Sequence, residues 1–423
     1  QPEVNGHFDE ETINFFTKMS TDLAWPYFGH NAEMQSLLYH APRRNGLEDR
    51  VVSYSIHSYM LKTFESVEWM IPEDFLSQDH FERVLSQIDL TSSPGYPYCL
   101  TATSNGQLLK VVDGVIPQHV KDDLYQDIMF KINNRLNDPI RLFIKPEPIS
   151  KLKFDKNAFR LISSVSLHDQ IIDALLFTDF NTRVIANHAR LPTKVGWSQF
   201  FGGYSMVHGD LAIDKSSWDW TVKPWLAEYV LKLRTDLCLN MNQQWLSLAQ
   251  WRYKCLYGCS EFVTSGGLLF KQKQPGVMKS GSFNTIIDNS IMQVLLHACV
   301  CEDMRIPISY IISMGDDTLQ SSIGDLEQYI ALLSRYCIVK QAERTPDFAG
   351  FTFRPPYVEP LYISKHMYKL KHLNPKIEAD VVGAYCLLYH RSKYRNFIRG
   401  ILSNLGHKLP SLEFLDNIYD YEE

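Results

Sequence analysis

The sequence predicts an α+β fold that combines antiparallel hairpins with long helices. Short apolar runs flank a turn at Gly266-Gly267 and again at Gly315-Asp316-Asp317, and each pattern indicates a β-hairpin. Stretches at 117–138 and 166–187 with apolar residues at helical spacing predict helices. At 423 residues, the chain can hold two or three subdomains on a shared core, and its hydrophobic content of 45% is ordinary for a globular protein.

The net charge of −6 is unevenly distributed along the chain. Residues 1–100 carry 6 basic and 15 acidic side chains, whereas 141–160 carry 6 basic and 2 acidic ones. Residues 364–408 carry 9 basic and 2 acidic side chains, and 409–423 return to a net charge of −5. Two basic segments in an acidic protein predict contact with a polyanion, although a solvated charged face would explain either segment alone.

The chain shows no membrane span or disulfide framework. No apolar run approaches the roughly 18–20 residues that cross a bilayer, and the acidic N-terminus lacks a signal-peptide pattern. The first residue is Gln1 rather than Met, and we expect release from a longer precursor or trimming. The 8 cysteines lack framework or zinc-site spacing, so we expect free thiols in a reducing compartment.

The first half of the chain contains two candidate anion-binding elements. After about 90 mainly helical residues, Thr91–Tyr98 forms a stiff turn with exposed backbone N–H groups, which suits a phosphate backbone or simply a loop. A basic strand from Arg141, a proline-containing turn and a second strand ending at Ile162 predict a hairpin with a basic tip. If the strands pair, its Arg and Lys side chains converge and suit a triphosphate.

The middle of the chain places polar residues at the ends of predicted elements. A strand ends at Asp214, and Asp219 lies before a helix predicted over 223–238, so that Asp219 is either a helix N-cap or a site residue. A Gly/Ser-rich loop at 276–285 leads into a helix whose N-terminus suits anions and ribose hydroxyls. Thr285 and Asn289 share one face of that helix.

Two adjacent carboxylates, Asp316 and Asp317, lie at the tip of the second hairpin. A divalent cation would relieve their repulsion, and Mg²⁺ suits because it binds one or two carboxylates plus substrate phosphates. A polar turn explains the same residues, because Gly-Asp and Asp-Asp are common turn dipeptides. Beyond this point we expect a helix over 325–336, strands at 338–340 and 349–353, and helices after Ser364.

Taken in order, these motifs resemble those of RNA-dependent RNA polymerases of positive-strand RNA viruses. The family order of basic hairpin, D-x4-D, S-G-x3-T-x3-N, G-D-D and a later lysine covers about residues 90–355. The segments T-S-S-P-G-Y-P-Y, R-L-F-I-K-P-E-P and R-L-I-S-S-V-S-L-H-D-Q are most similar to those of sobemovirus, polerovirus and related polymerases. The resemblance implies a right-hand fold with fingers, a palm carrying an antiparallel sheet, and a small helical thumb.

The resemblance also implies residue roles. The metal ligands would be Asp214, Asp316, Asp317 and the backbone of Lys215, holding two Mg²⁺ ions that Mn²⁺ can replace. Lys340 would protonate the leaving pyrophosphate, although a plain surface lysine explains it too. Nucleotide contacts would come from Lys145, Lys151 or Lys153, Arg160, Asp219, Ser280, Thr285 and Asn289. RNA contacts would come from Ser93, Gly95, Pro97, Gly281 and Phe351.

The sequence departs from the family pattern at two of these sites. Three lysines compete for two roles in the basic hairpin, and Phe-Ala-Gly-Phe at 348–351 is only an approximate primer-grip motif. The implied divisions are a fingers extension at 1–90, fingers at 91–204 and 241–275, palm at 205–240 and 276–355, and thumb with acidic tail at 356–423.

The chemistry of nucleotide addition is consistent with this pattern. An in-line phosphoryl transfer with two ions roughly 3.5–4 Å apart needs carboxylates from two separate elements. An acid and an amide, such as Asp219 and Asn289, supply the acceptor and donor for a ribose 2′-OH. Two alternatives stay open, namely a reverse transcriptase or other palm DNA polymerase, and a non-catalytic RNA-binding protein with structural acidic pairs.

The resemblance implies replication of a positive-strand viral RNA genome. The expected partners are a single-stranded RNA template, the nascent strand, NTPs and other replication proteins. The short predicted thumb leaves the channel open, so that initiation is either protein-primed or de novo. We expect the protein in the host cytoplasm, in membrane-associated replication complexes formed through other viral proteins.

Overall fold

The computed structural model describes residues 1–421. The helices are α1 (Glu10–Met19), α2 (His30–His40), α3 (Tyr54–Thr63), α4 (Gln78–Leu85), α5 (Asn105–Leu108), α6 (Gln118–Asn134), α7 (Lys151–Asp155), α8 (Leu167–Ala186), α9 (Trp218–Thr221), α10 (Pro224–Asp236), α11 (Gln243–Tyr257), α12 (Thr285–Met304), α13 (Leu326–Leu333), α14 (Ile363–Lys371), α15 (Glu378–Leu388), α16 (Arg395–Ser403) and α17 (Leu412–Asp420).

The strands are short and almost all antiparallel. They are β1 (Leu23–Ala24), β2 (Ile140–Ile144), β3 (Ile149–Ser150), β4 (Leu161–Ser164), β5 (Leu211–Ser216), β6 (Glu261–Val263), β7 (Leu269–Lys271), β8 (Ile311–Met314), β9 (Asp317–Gln320), β10 (Ile338–Glu343), β11 (Asp347–Phe348), β12 (Phe351–Arg354) and β13 (Tyr357–Pro360). The mixture of hairpins and long helices confirms the predicted α+β class.

The central sheet, in the order β10-β5-β9-β8, is antiparallel throughout. Met314 pairs with Asp317, so β8 and β9 are joined by a two-residue turn of Gly315 and Asp316. Gly315 has a φ of +61°, which glycine adopts without strain. The predicted hairpin is therefore confirmed, but Asp317 begins the second strand instead of sharing the turn.

Helix α12 supports this sheet from one side. The apolar residues of α12 are buried along most of its length, and the helix packs against β8. Ser313 Oγ donates a hydrogen bond to the carbonyl oxygen of Ser290 at 2.8 Å, which fixes the strand against the helix. The helix that carries the predicted ribose-binding amide is thus anchored to the strand that leads to the aspartate turn.

The basic hairpin belongs to a second sheet, in the order β4-β2-β6-β7. Strands β2 and β4 pair antiparallel with Arg141 opposite Ser164, which confirms the predicted pairing, but β3 and helix α7 lie in the connection that the sequence predicted as a turn. The Gly266-Gly267 hairpin joins β6 to β7, and β6 lies parallel to β2. A segment near 280 touches this sheet through a bridge between Ser164 and Gly281. The two predicted phosphate- and ribose-binding segments are therefore neighbours.

A third sheet, β11-β12-β13, differs slightly from the prediction. Ala349 and Gly350 form the turn between β11 and β12, so the strand predicted over 349–353 begins at Phe351. Both turn residues have positive φ, +51° and +84°, and so cannot continue a strand. The helix predicted over 223–238 is slightly shorter, because Pro224 occupies its first position.

The N-terminal segment packs on the C-terminal helices. Helix α1 contacts α14, and Phe8 and Phe16 lie in one apolar cluster with Met367, Leu370 and other residues of α14–α17. The side chain of Asn5 donates to Leu373 O at 2.9 Å and to Glu378 Oε1 at 2.8 Å. The two ends of the chain thus share a core, while the predicted divisions into fingers, palm and thumb stay predictions.

Within residues 1–421, every helix is too short or too polar to cross a membrane.

Candidate active site

Three aspartates lie at one edge of the central sheet. Asp214 is in β5, Asp316 is in the turn between β8 and β9, and Asp317 begins β9. Strands β5 and β9 pair with Leu211 opposite Gln320, and continuing this register brings Asp214 level with Asp317. The structure thus brings together the acids that the sequence assigned to one site.

The two adjacent aspartates have different surroundings. Asp317 Oδ2 accepts a hydrogen bond from the backbone N–H of Ala349 at 2.7 Å, whereas Asp316 reaches solvent from the turn. Burial raises the pKa of Asp317 to about 6, although the Ala349 hydrogen bond opposes it and the charge of Asp316 adds to it. Burial also raises the pKa of Asp316, with Lys215 opposing and Asp214 adding. A cation close to Asp316 and Asp317 would lower both of these raised pKa values.

Lys215 does not supply that cation through a direct ion pair. Its Nζ donates to Thr318 Oγ1 at 2.8 Å, and burial lowers its pKa while nearby acidic groups oppose the shift. Among residues 1–421, no group of three or more His, Cys, Asp or Glu side chains is arranged to hold a metal ion. The aspartate oxygens are therefore an incomplete ligand set, which fits a hard divalent ion that takes further oxygens from water or phosphate.

A serine that sequence reasoning missed supports the aspartate turn. Ser290 Oγ accepts the backbone N–H of Gly315 at 2.8 Å and donates to the carbonyl oxygen of Ile286 at 2.6 Å. Ser290 follows Asn289 in α12. The same part of this helix therefore supplies the serine that supports the aspartate turn and the amide that is predicted to bind ribose. Because Ser290 and Gly315 are 25 residues apart, no local sequence pattern indicated this contact.

Asp219 and Asn289 form a hydrogen-bonded pair beside the aspartates. Asn289 Nδ2 donates to Asp219 Oδ1 at 3.2 Å, and Trp218 Nε1 donates to Asn289 Oδ1 at 2.8 Å. Burial and the charge of Asp316 together raise the pKa of Asp219 to about 7, although the hydrogen bond from Asn289 opposes the shift. Trp218 therefore fixes which end of the amide faces the acid, a role that the sequence did not indicate.

Asp219 is not a helix N-cap. It lies inside the one-turn helix α9, whose N-cap is Ser217, and the N-cap of α10 is Lys223. The interpretation of Asp219 as a helix N-cap is therefore wrong. Its partial burial and its bond to Asn289 leave a carboxyl that could meet a ligand hydroxyl.

The predicted ribose loop is hydrogen-bonded to strand β4. Ser280 Oγ accepts the backbone N–H of Ser163 at 3.0 Å, and Gly281 N–H donates to Ser163 O at 3.0 Å. A Cβ at Gly281 would lie 2.5 Å from that oxygen, so only glycine fits. Thr285 Oγ1 donates to the carbonyls of Lys279 and Ser282 at 2.9 and 3.0 Å. The loop hydroxyls therefore shape the loop itself.

The basic hairpin contains an acid that sequence reasoning did not assign. Lys145 Nζ lies 3.1 Å from Glu147 Oε2, and Arg160 NH1 lies 3.0 Å from Glu147 Oε1. Burial opposes ionisation of Glu147, but the charges of Arg160 and Lys145 hold its pKa below the usual value. The carboxylate thus aligns two of the predicted triphosphate contacts. The charge of Arg160 also acts on Asp219 and Asp316, which places it near the aspartates.

The other lysines of the predicted site lie in α7 and β10. Lys151 and Lys153 are exposed in α7, and Lys340 is an exposed residue at a bulge where β10 shifts register against β5. Burial lowers the pKa of Lys153, and the charges of Lys340 and Lys365 lower it further. Cations from three separate elements therefore face one region.

Helix α14 contributes two residues that the sequence did not single out. Tyr362, its N-cap, is 55% exposed, and its ring lies 3.4 Å from the position of a Cβ on Gly350. Burial raises the pKa of Tyr362, and the charges of Asp317 and Asp214 raise it further. Lys365 Nζ lies 5.6 Å from the Tyr362 ring centroid. The start of α14 therefore lies close to the three aspartates at the edge of the central sheet.

The predicted RNA-contact residues are in different environments. Ser93 is exposed, and Pro97 is half-buried. Gly95 is buried with a φ of +69°, and a Cβ there would lie 2.8 Å from Ser166 Cα at the start of α8. Phe351 is buried in an apolar cluster, so its side chain packs in the protein and is not free to grip a strand directly.

Comparisons with known proteins agree with this arrangement. The model of the viral RNA-dependent RNA polymerase family matches residues 33–335. Protein P1-P2 of Pea enation mosaic virus-1 (strain WSG) is 30% identical over 415 residues, covering 85% of this chain and 33% of that protein. The replicase polyprotein P2AB of Cocksfoot mottle virus is 29% identical, covering 77% of this chain and 37% of that protein. The chain spans about a third of the length of these curated relatives.

The fold is shared with a solved polymerase. The Sicinivirus 3Dpol RNA dependent RNA polymerase superposes with a TM-score of 0.71 at 17% identity, covering 99% of this chain and 96% of that one. The predicted right-hand polymerase fold is therefore confirmed. The predicted resemblance to sobemovirus and polerovirus polymerases is confirmed as well, since Protein P1-P2 of Potato leafroll virus and the replicase polyprotein P2AB of Southern bean mosaic virus also match. The chain belongs to the viral RNA-dependent RNA polymerases, a family of RNA-synthesising enzymes that replicate viral genomes.

Proposed function

We propose that this chain adds ribonucleotides to a growing RNA strand by two-metal nucleotidyl transfer, copying a positive-strand viral RNA genome. One observation carries the proposal. Asp214 and the Asp316-Asp317 turn come from separate strands and share one sheet edge, with the Asp219–Asn289 pair beside them. Carboxylates from two elements are what an in-line transfer of a nucleotidyl group requires.

Asp214, Asp316 and Asp317 would hold two Mg²⁺ ions, for which Mn²⁺ can substitute, with the carbonyl of Lys215 nearby. Bound there, the ions would neutralise charge on the attacking and departing oxygens. Asp316, exposed in the turn, would be the indispensable ligand, whereas the Ala349 hydrogen bond already satisfies part of Asp317. Lys340, exposed at its bulge, would donate a proton to the departing pyrophosphate.

The nucleotide would lie between the basic hairpin and helix α12. Lys145 and Arg160, aligned by Glu147, would bind the triphosphate together with Lys151 or Lys153. The Asp219–Asn289 pair offers an acceptor and a donor for the ribose 2′-OH, which distinguishes RNA precursors from DNA precursors. Ser280 and Thr285 would act by holding the loop, because the Ser280 hydroxyl joins it to Ser163 of β4 and the Thr285 hydroxyl is bonded within it.

The RNA path and the cellular setting complete the proposal. The template would pass the turn at Ser93–Pro97 and Gly281, and the duplex product would meet the basic C-terminal helices through its phosphates. Phe351 would support the primer end through the turn at Ala349-Gly350. The protein would work in the host cytoplasm, in membrane-associated complexes formed through other viral proteins. Initiation would use either a protein primer or an unprimed start, which the 5′ end of the product distinguishes.

The test is template-directed RNA synthesis by the purified chain on primed and unprimed homopolymers with Mg²⁺ or Mn²⁺. Asp316→Ala and Asp214→Ala should each lower synthesis by at least about 10³-fold while leaving the melting temperature nearly unchanged, because each removes a metal ligand at an exposed edge. Lys232→Ala, on the exposed face of α10, is a matched control that should keep full activity. Retained synthesis in folded Asp316→Ala would contradict the proposal.

A further inference from the structure

A buried lysine that the proposed reaction does not use lies in the loop before α12. Lys279 is fully buried, and its Nζ donates to Gln272 Oε1 at 3.0 Å. It also donates to the carbonyl oxygens of Gly276 and Val277, each at 2.9 Å. These three neutral acceptors use all three N–H groups of an ammonium.

This arrangement is unfavourable for the lysine itself. Burial and the charge of Arg44 together lower the pKa of Lys279 to about 7. An apolar side chain of similar length would fill the same space without the cost of burying a charge. Packing alone therefore does not explain why an ammonium group is buried here. The conformation of the neighbouring backbone does.

The lysine binds a strained turn. Val277 has a φ of +67°, in the left-handed region that β-branched residues rarely occupy, and Gly276 has a φ of +111°. The carbonyls of these two residues are the ones that Lys279 Nζ holds. The ring of Phe262 lies 5.6 Å from the same Nζ. The ammonium therefore stabilises a backbone conformation that the sequence at Val277 opposes.

The strained turn is bonded to both sides of the predicted ribose pair. The backbone N–H of Met278 donates to the carbonyl of Asp219 at 2.8 Å. The carbonyl of Lys279 accepts from Thr285 Oγ1 at 2.9 Å, one helical turn before Asn289. A shift of the turn would therefore move Asp219 relative to Asn289.

We propose that Lys279 is a positioning residue for ribose selection. Its ammonium holds the Gly276-Val277 turn, and this turn sets the distance between Asp219 and Asn289. Lys279 acts through these residues and does not touch the nucleotide. The inference rests on the proposed function, because ribose selection has meaning only if the chain adds nucleotides.

The test compares ribonucleotide and 2′-deoxyribonucleotide addition on a primed RNA template. Lys279→Met keeps the length of the side chain and removes its donors. We expect KM for the NTP to rise about fivefold with a smaller change in kcat, and the preference for the ribonucleotide in kcat/KM to fall about tenfold. Gln272→Leu removes one acceptor of Nζ together with the Nε2 donor to the carbonyl of Gly276 at 2.9 Å, so it weakens the same turn from a second side and should lower the preference about two- to threefold.

Lys194→Met is the matched control, because Lys194 is also buried and its Nζ donates to a carbonyl, that of His188 at 2.8 Å. It should lower the melting temperature and leave the ribose preference unchanged. The proposal is overturned if folded Lys279→Met keeps the wild-type preference, or if Lys194→Met loses it equally. If Lys279→Met does not fold, an unchanged preference in Gln272→Leu overturns it. If the wild-type protein adds no NTP at all, the proposed function is wrong, and this inference fails with it.

Discussion

Two groups of aspartates in this fold differ in where their counter-charges come from. In the core between α8, α10, α11 and α12, Asp288 accepts from Arg234 NH2 at 2.7 Å and from the hydroxyls of Tyr253 and Tyr257 at 2.9 and 2.8 Å. At the edge of the central sheet, Lys215 acts on Asp316 and Asp317 only through space, because it bonds to Thr318.

Each aspartate named in the core group has a basic side chain within ion-pair distance. Arg252 Nε lies 2.6 Å from Asp173 Oδ1, and Lys131 Nζ lies 2.6 Å from Asp138 and 2.9 Å from Asp169. The same residue type therefore has two uses. Where the protein builds in the cation, aspartate fixes helices to one another, and where it does not, we propose that aspartate binds a cation from solution.

The largest expected effect on stability is in the core group. Asp288→Ala should destabilise the fold by about 3–5 kcal/mol, because it leaves the buried Arg234 guanidinium and two tyrosine hydroxyls without their acceptor. Denaturant unfolding measures this loss. Glu48→Ala, which breaks the exposed pair with Arg335, is the matched control and should cost far less. Equal losses in the two variants would remove the distinction between the groups.

An intermediate effect is expected at Asp317. Asp317→Asn should lower RNA synthesis by about 10- to 100-fold, less than Asp316→Asn, because Ala349 already occupies one of its oxygens. Single-nucleotide addition at saturating Mn²⁺ measures the two variants side by side. A larger loss for Asp317→Asn than for Asp316→Asn would reverse the assigned order of the ligands.

The smallest effect is a pH dependence at Asp219. Its pKa is raised to about 7 in the folded protein from 3.8, so the folded state binds this proton more tightly than the unfolded state. The resulting stability is fully present below about pH 4 and is lost as the pH rises through about 7.

Asp219→Asn removes this titration. Between pH 5 and pH 8 in metal-free buffer, the melting temperature of the wild type should fall by a few degrees more than that of the variant, measured by calorimetry. Other titrating groups are common to both proteins and cancel in this difference. Parallel pH dependences would show that the Asp219 carboxyl titrates normally.

The elements with local signals were predictable from the sequence. Apolar runs around Gly315 predicted the β8–β9 hairpin, the helix over 166–187 begins at Leu167 as expected, and the Gly-Gly turn joins β6 to β7. Each depends on periodicity or turn chemistry within a dozen residues. The order of the polar motifs along the chain then pointed to one site.

The contacts that tune the site were not predictable. Trp218 reaches Asn289 across 71 residues, and Ser290 supports Gly315 across 25. Asn5 binds Glu378 across 373 residues, so no sequence pattern showed that the N-terminal segment packs on the C-terminal helices. Such partners are fixed by tertiary packing, which leaves no period or spacing in the sequence.

The central claim is that the sheet-edge aspartates are left without a built-in cation in order to bind metal. The most direct measurement is a Mn²⁺ titration followed by electron paramagnetic resonance, with template, primer and a non-hydrolysable NTP analogue present. The wild type should bind about two ions per chain, and the double variant Asp214→Asn/Asp316→Asn should bind neither tightly. Unchanged Mn²⁺ binding in the folded double variant would contradict the account.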